Sequence, residues 1–171
     1  ELAQDEASAR ERDAAARDDA FLDRGAGRVK RVVDAVLALL DLDLGGAADS
    51  QHGDAARDRV IEALGRLLRA NTRAMDSPCR LGNDRFAILL SGVGLATAHA
   101  RMEGLRRQCA EHIVALSGQQ LNFTVSMGVA SYPHTAGTVE QLLRSSELAL
   151  AQARERGGNR VVLASIQFEM S

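Results

Sequence analysis

A chain of 171 residues, 46% apolar and 26% charged, has the composition of one globular domain with a full core and little room for a second. A formal net charge of −2 supplies no electrostatic drive toward DNA or anionic lipid, and four Phe, one Tyr and no Trp leave little aromatic surface for stacking bases. No apolar run approaches the roughly 18 residues that cross a bilayer, so neither nucleic acid nor membrane contact is expected of this segment.

Residues 1–24 are rich in Ala, Glu, Asp and Arg and read as a polar connector helix, with Ala7, Ala14 and Phe21 at heptad spacing. Val32–Leu44 is an apolar, β-rich stretch carrying Asp41 and Asp43 at its end, and Gly45-Gly46 closes it. From Asp54, a candidate N-cap, Val60, Ile61, Leu64, Leu67 and Leu68 share one face and predict a helix to about Thr72. Two short strands, Cys79–Leu81 and Phe86–Leu90, flank Gly82-Asn83-Asp84 as a hairpin. The stripe Met102, Leu105, Cys109, Ile113 and Leu116 predicts a helix over Leu95–Leu116, and Leu121–Ala130 alternates as a strand. Thr138–Arg156 is a third helix with a capping box at Thr138 and Gln141, and Val161–Leu163 a closing strand. The order implies an α/β sandwich around a mixed sheet rather than a doubly wound parallel fold. Cys79 and Cys109 read as buried or half-buried thiols in a cytoplasmic protein, and the four histidines lack metal-ligand spacing. The chain opens on Glu1, and further domains of a longer chain are expected to adjoin it.

The segment Cys79-Arg-Leu-Gly-Asn-Asp-Arg-Phe-Ala-Ile-Leu-Leu90 resembles the stretch that names the GGDEF family, the diguanylate cyclases and their relatives. Where that family reads R-x-G-G-D/E-E-F, this chain reads Arg80-Leu81-Gly82-Asn83-Asp84-Arg85-Phe86. Leu39-Leu40-Asp41-Leu42-Asp43 is similar to the family's first metal-binding strand. Thr124–Ser131 resembles its T-x-S-x-G-V strand, and Leu148–Arg160 its closing segment. The resemblance implies a nucleotidyl-cyclase-like, palm-type mixed sheet flanked by helices over residues 29–171, preceded by the connector at 1–28.

The same resemblance implies which chemistry is impaired. Such a cyclase joins two GTP molecules by phosphoryl transfer, a reaction carried by positioning and by divalent metals on the phosphates. Asp41, the carbonyl of Leu42 and Asp84 match its metal positions, but the following glutamate is Arg85 here. At ~4 Å and an effective dielectric of ~20, each unit of charge so altered corresponds to roughly 4 kcal/mol of raw Coulomb energy. Gly82 keeps the first signature glycine, while Asn83 adds a side chain at the second. The guanine-reading Asn is matched by Asp49, the guanine-reading Asp by Asp58, and Arg154 keeps half of a phosphate-binding pair. The family's F-K after the first strand and its D-x-L-T-x-L-x-N-R segment have no counterpart. Asp41, Asp84 and Arg85 are therefore expected to be vestigial, with no cofactor and Mg²⁺ only where GTP still binds.

Arg73-Ala-Met-Asp76 stands where the family often carries an R-x-x-D site for its product, cyclic di-GMP. Arginine donates two bonds to guanine N7 and O6, and aspartate accepts from N1–H and the 2-amino group. The pattern is cheap in an arginine-rich chain, recurring at Arg10–Asp13 and Arg31–Asp34; its distance from Gly82 singles it out. A third ligand arginine would come from the next helix, from Arg101 or Arg106, of which Arg106 is carried as the candidate. The expectation is an inactive, cyclic di-GMP-binding receptor module that is homodimeric and cytoplasmic. A weak diguanylate cyclase and a nucleotide-free dimerisation scaffold are the alternatives.

Overall fold

A computed structural model describes residues 34–44 and 53–166. The expected connector at 1–28 and Asp49 lie outside them. The elements are β1 (Ala35–Asp43), α1 (Gly53–Asn71), β2 (Ser77–Arg80), β3 (Arg85–Ser91), α2 (Leu95–Glu111), β4 (Val114–Leu116), β5 (Gln119–Leu121), β6 (Thr124–Tyr132), α3 (Val139–Glu155) and β7 (Val161–Leu163).

Five strands form one mixed sheet in the order β2-β3-β1-β6-β7, with β1 at its centre. All its neighbours pair antiparallel except β6 and β7, which are parallel. The central strand is buried along nearly its whole length, which explains its continuous apolar run where a half-solvated strand would alternate. Its side chains still divide between two faces by the period of two. Val36, Ala38, Leu40 and Leu42 pack with Ala56, Val60 and Leu64 of α1 and Ala98, Met102 and Leu105 of α2. Ala35, Leu37 and Leu39 face the other way, onto Leu142 and Leu150 of α3. The sheet thus lies between two helices and one, the palm-type arrangement that the resemblance implied.

α3 meets the sheet closely because β6 carries Gly128, where a Cβ would run into the backbone of Ser146 and Leu150. Its start is fixed by Thr138, whose Oγ1 accepts from Gln141 N at 3.1 Å. The Gln141 side chain accepts in turn from Gly137 N (2.9 Å), one residue before the position a standard capping box uses.

One expected element is corrected. The helix expected to reach Leu116 ends at Glu111, and Val114–Leu116 turns back against Gln119–Leu121 as a separate hairpin. His112 is already extended (φ −73°, ψ 131°), and Ser117 and Gly118 take φ of 50° and 79°, the pair of positive values that a tight hairpin turn demands. Ile113, placed on the helix's apolar stripe by periodicity, is 55% exposed.

Candidate functional site

The chemistry-bearing residues gather at one end of the sheet, where β1 finishes and the β2–β3 turn begins. Asp41 and Arg85 are direct cross-strand partners, so their side chains stand on the same face of the sheet. Arg85 Nε donates to Asp41 Oδ1 at 2.7 Å and Arg85 Nη2 to Oδ2 at 3.0 Å, a two-pronged guanidinium–carboxylate pair. Arg154, in the last turn of α3, adds a third bond from Nη1 to Asp41 Oδ2 at 2.9 Å. The Asp41 side chain is only 7% exposed, whereas those of Arg85 and Arg154 are 40% and 61% exposed. A buried carboxylate is thus covered by two guanidiniums reaching in from solvent.

Asp84 lies beside this pair. Its carbonyl accepts from Leu42 N (2.9 Å), which binds the turn to the end of β1. Its Oδ1 is shielded from water and makes no hydrogen bond, with Arg57 Nη1 3.6 Å away. Arg80 holds the turn from the other side, donating to the carbonyls of Gly82 (2.9 Å) and Asn83 (3.0 Å). Gly82 itself has open space where a Cβ would stand, so nothing in the described residues requires glycine there. Asn83 is exposed beside it.

Two clefts adjoin these residues. A smaller one of about 200 Å³ is lined by Asp41, Leu42, Asp84, Arg85 and Arg154. A larger one of about 560 Å³ is bounded by Asp43, Leu44, Phe123, Thr124, Arg154 and Gly158, among others. Asp43 was not singled out by sequence reasoning beyond its strand. It is a hydrogen-bond hub, its Oδ2 accepting from Ser126 Oγ (2.7 Å), Thr124 Oγ1 (3.3 Å) and the backbone N of Asn159 (3.4 Å). The signal was available, because Asp43 follows Asp41 by one strand period and Thr124 and Ser126 follow the same period on the neighbouring strand. Arg57 was also missed; Asp58, its neighbour, is exposed and lines neither cleft.

The metal set expected from Asp41, Leu42 and Asp84 does not suit a divalent ion. Both oxygens of Asp41 are already taken by guanidiniums, and an ion there would lie beside Arg85. Among the described residues, no group of three His, Cys, Asp or Glu side chains could hold a metal. Asp84 Oδ1 has no hydrogen bond, and the group facing it is Arg57 Nη1 at 3.6 Å.

The R-x-x-D residues lie at the far end of β2, about 13 Å from the signature turn at the usual rise per strand residue. Asp76 is buried, and its Oδ2 accepts from the backbone N of Arg73 (2.8 Å) and from Arg101 Nη2 (2.5 Å). Arg101 also donates to the carbonyl of Asn71 (3.2 Å), while its Nη1 is buried without an acceptor. The Arg73 side chain is exposed. Arg106, the sequence's candidate for the third position, is not brought to Asp76; Arg101 is the α2 arginine that lies against it. Five residues further along a helix is about 140° round its axis. There Arg106 pairs with Glu103 (Nη2 to Oε1, 2.6 Å) and donates to Asn159 Oδ1 at 2.9 Å. The Arg106 hydrogen bond, with Arg106, Arg107 and His99 as nearby charges, holds the Glu103 carboxyl below the usual carboxylate range against an opposing effect of burial.

Comparison with known proteins agrees with this architecture. The chain is 27% identical over 128 residues to diguanylate cyclase A of Treponema denticola, covering 75% of this chain and 34% of that protein. It is 33% identical over 126 residues to the response regulator PleD of Caulobacter vibrioides, covering 72% and 28%. It therefore spans roughly a third of the length of these two relatives. Among solved structures, the GGDEF domain of PA1120 (YfiN or TpbB) from Pseudomonas aeruginosa superposes with a TM-score of 0.79 at 25% identity, covering 86% of this chain and 94% of that one. The GGDEF domain of DgcB from Caulobacter crescentus, solved in complex with c-di-GMP, shares the fold at a TM-score of 0.77 and 20% identity, covering 85% and 88%. The family model described as "Diguanylate cyclase, GGDEF domain" matches residues 19–160, and the chain belongs to that family.

Proposed function

We propose that this chain is a catalytically inactive GGDEF domain that binds cyclic di-GMP at Arg73, Asp76 and Arg101 and relays its occupancy to the rest of a longer cytoplasmic protein. The observation that carries the loss of catalysis is the two-pronged bond of Arg85 to Asp41, which puts a guanidinium where phosphoryl transfer needs a metal. In contrast, the R-x-x-D pair keeps its register before the signature, with a second arginine beside its aspartate. Asp76 is held in place by two donors, and Arg73 presents its guanidinium to solvent. Those groups suit the edge of guanine, which offers two acceptors to an arginine and two donors to a carboxylate. A GGDEF domain of this fold has been solved with c-di-GMP, and the cyclase SiaD with its activator SiaC, so both a nucleotide and a protein partner are reasonable for this chain.

Isothermal titration of the purified chain with cyclic di-GMP, with Arg73→Ala in parallel, tests the reading. Binding that the variant weakens at least tenfold supports it. No binding, or affinity unchanged in the variant, overturns it.

A further inference from the structure

We propose that the groove between α1 and the outermost strand β2 is a docking site for an acidic segment of a partner protein, held between arginines over an apolar floor. β2 ends the sheet on one side, and a groove of about 540 Å³ lies between it and α1. Ile61 and Leu68 of α1, Pro78 of β2 and Phe86 of β3 supply its apolar surface. Its charged residues are Glu62, Arg66 and Arg69 on the helix and Arg80 on the strand, three cations to one anion. Asp58, Arg73 and Asp76 do not line it. The chain as a whole carries a charge of −2, so this positive excess is local.

Arg66 and Arg69 are exposed and, among the described residues, meet no carboxylate within ion-pairing distance. Arg80 is fixed by the carbonyls of Gly82 (2.9 Å) and Asn83 (3.0 Å), which hold its charge on the opposite wall without neutralising it. An acidic segment supplies the carboxylates these three lack, and the apolar surface between them accepts an aliphatic side chain. Gly65 is a second sign of a partner. It stands in the middle of α1, where glycine is among the poorest helix formers. A Cβ there would come no nearer than 3.6 Å to Arg69 Nη1, an ordinary contact, so the fold itself does not ask for glycine. The bare backbone instead deepens the groove wall, where a second chain can approach closely. Pro78 leaves β2 one amide hydrogen short, so the partner docks through side chains and not as an added strand. A nucleic acid strand fits less well, because Phe86 is 4% exposed and offers no face for stacking.

The test titrates the full chain into a fluorescein-labelled hexapeptide of alternating leucine and aspartate, read by fluorescence anisotropy, beside a control peptide with lysine for aspartate. The acidic peptide is expected to bind and the lysine peptide not to. Arg66→Glu combined with Arg69→Glu should weaken binding about tenfold or more. Gly65→Leu should weaken it as much while melting no lower than wild type by circular dichroism, since leucine is the better helix former and its side chain fills the groove. Arg73→Ala should leave the affinity unchanged, which separates this groove from the cyclic di-GMP reading. Failure of the acidic peptide to bind, equal binding of the lysine peptide, or equally tight binding of a thymidine hexanucleotide would each overturn the proposal. So would affinity that survives the double charge reversal or Gly65→Leu, or affinity lost in Arg73→Ala.

Discussion

Asp41 is held by three hydrogen bonds from two arginines, which engage both of its carboxylate oxygens. In the sequence, Arg85 is visible only as a reversed charge at a position where the family carries an acid. What the side chain does instead depends on the register of β1 against β3, which makes the two residues cross-strand partners. Gly128 is legible in a different way. The T-x-S-x-G-V resemblance marks the glycine, and the structure supplies its reason in the backbone of α3 lying where a Cβ would go. A flexible side chain could yield, but backbone at two successive turns of a packed helix cannot. Gly128→Ala is therefore expected to cost about 3 kcal/mol, the upper end for overpacking, or to prevent folding. A denaturant melt in which this variant matches wild type would contradict the packing described. Two arginines on one helix are equivalent to a reading of spacing, and only the direction in which α2 packs against the end of α1 separates them.

At the scale of the element, the pattern of apolar residues located every strand and helix of the main sheet. It failed where two periodicities overlapped. Ile113 and Leu116 continue the stripe of α2, so the helix is extended in a reading by pattern alone. The chain is stopped at Glu111 by the Ser117-Gly118 turn, a local signal outweighed by a longer periodic one. α2 also links the two ends of the molecule, with Arg101 on Asp76 and Arg106 on the Asn159 loop beside Asp43. The half-buried Glu103 carboxylate that steadies Arg106 is held below its usual pKa, chiefly by the hydrogen bond from Arg106. A group whose folded pKa is depressed contributes stability above its unfolded value, and that contribution disappears as the pH falls through the folded one. Glu103→Gln should therefore be less stable than wild type at pH 7, by about 0.5 kcal/mol for a pair of this exposure. The difference should shrink toward zero below the ordinary carboxylate range near pH 4. Parallel urea melts at pH 7 and pH 3 measure it, and a gap that persists undiminished at pH 3 would rule out the pair as its source.

Across the whole molecule, the family and its fold were legible because several motifs fall in the right order along one sheet. The state of the site was legible only in part, since charge and spacing show which residues have changed but not which neighbours they have found. Two polar clusters lie at opposite ends of β2, one with guanidiniums on Asp41 and one with the Arg73 backbone and the Arg101 guanidinium on Asp76. Among the described residues no helix is long and apolar enough to cross a membrane. We propose that phosphoryl transfer has been given up at the first of these clusters. The most direct test is to incubate the chain with GTP and Mg²⁺ and quantify cyclic di-GMP by mass spectrometry. The account predicts no product above a protein-free control; product that accumulates with time and vanishes in Asp84→Ala would contradict it.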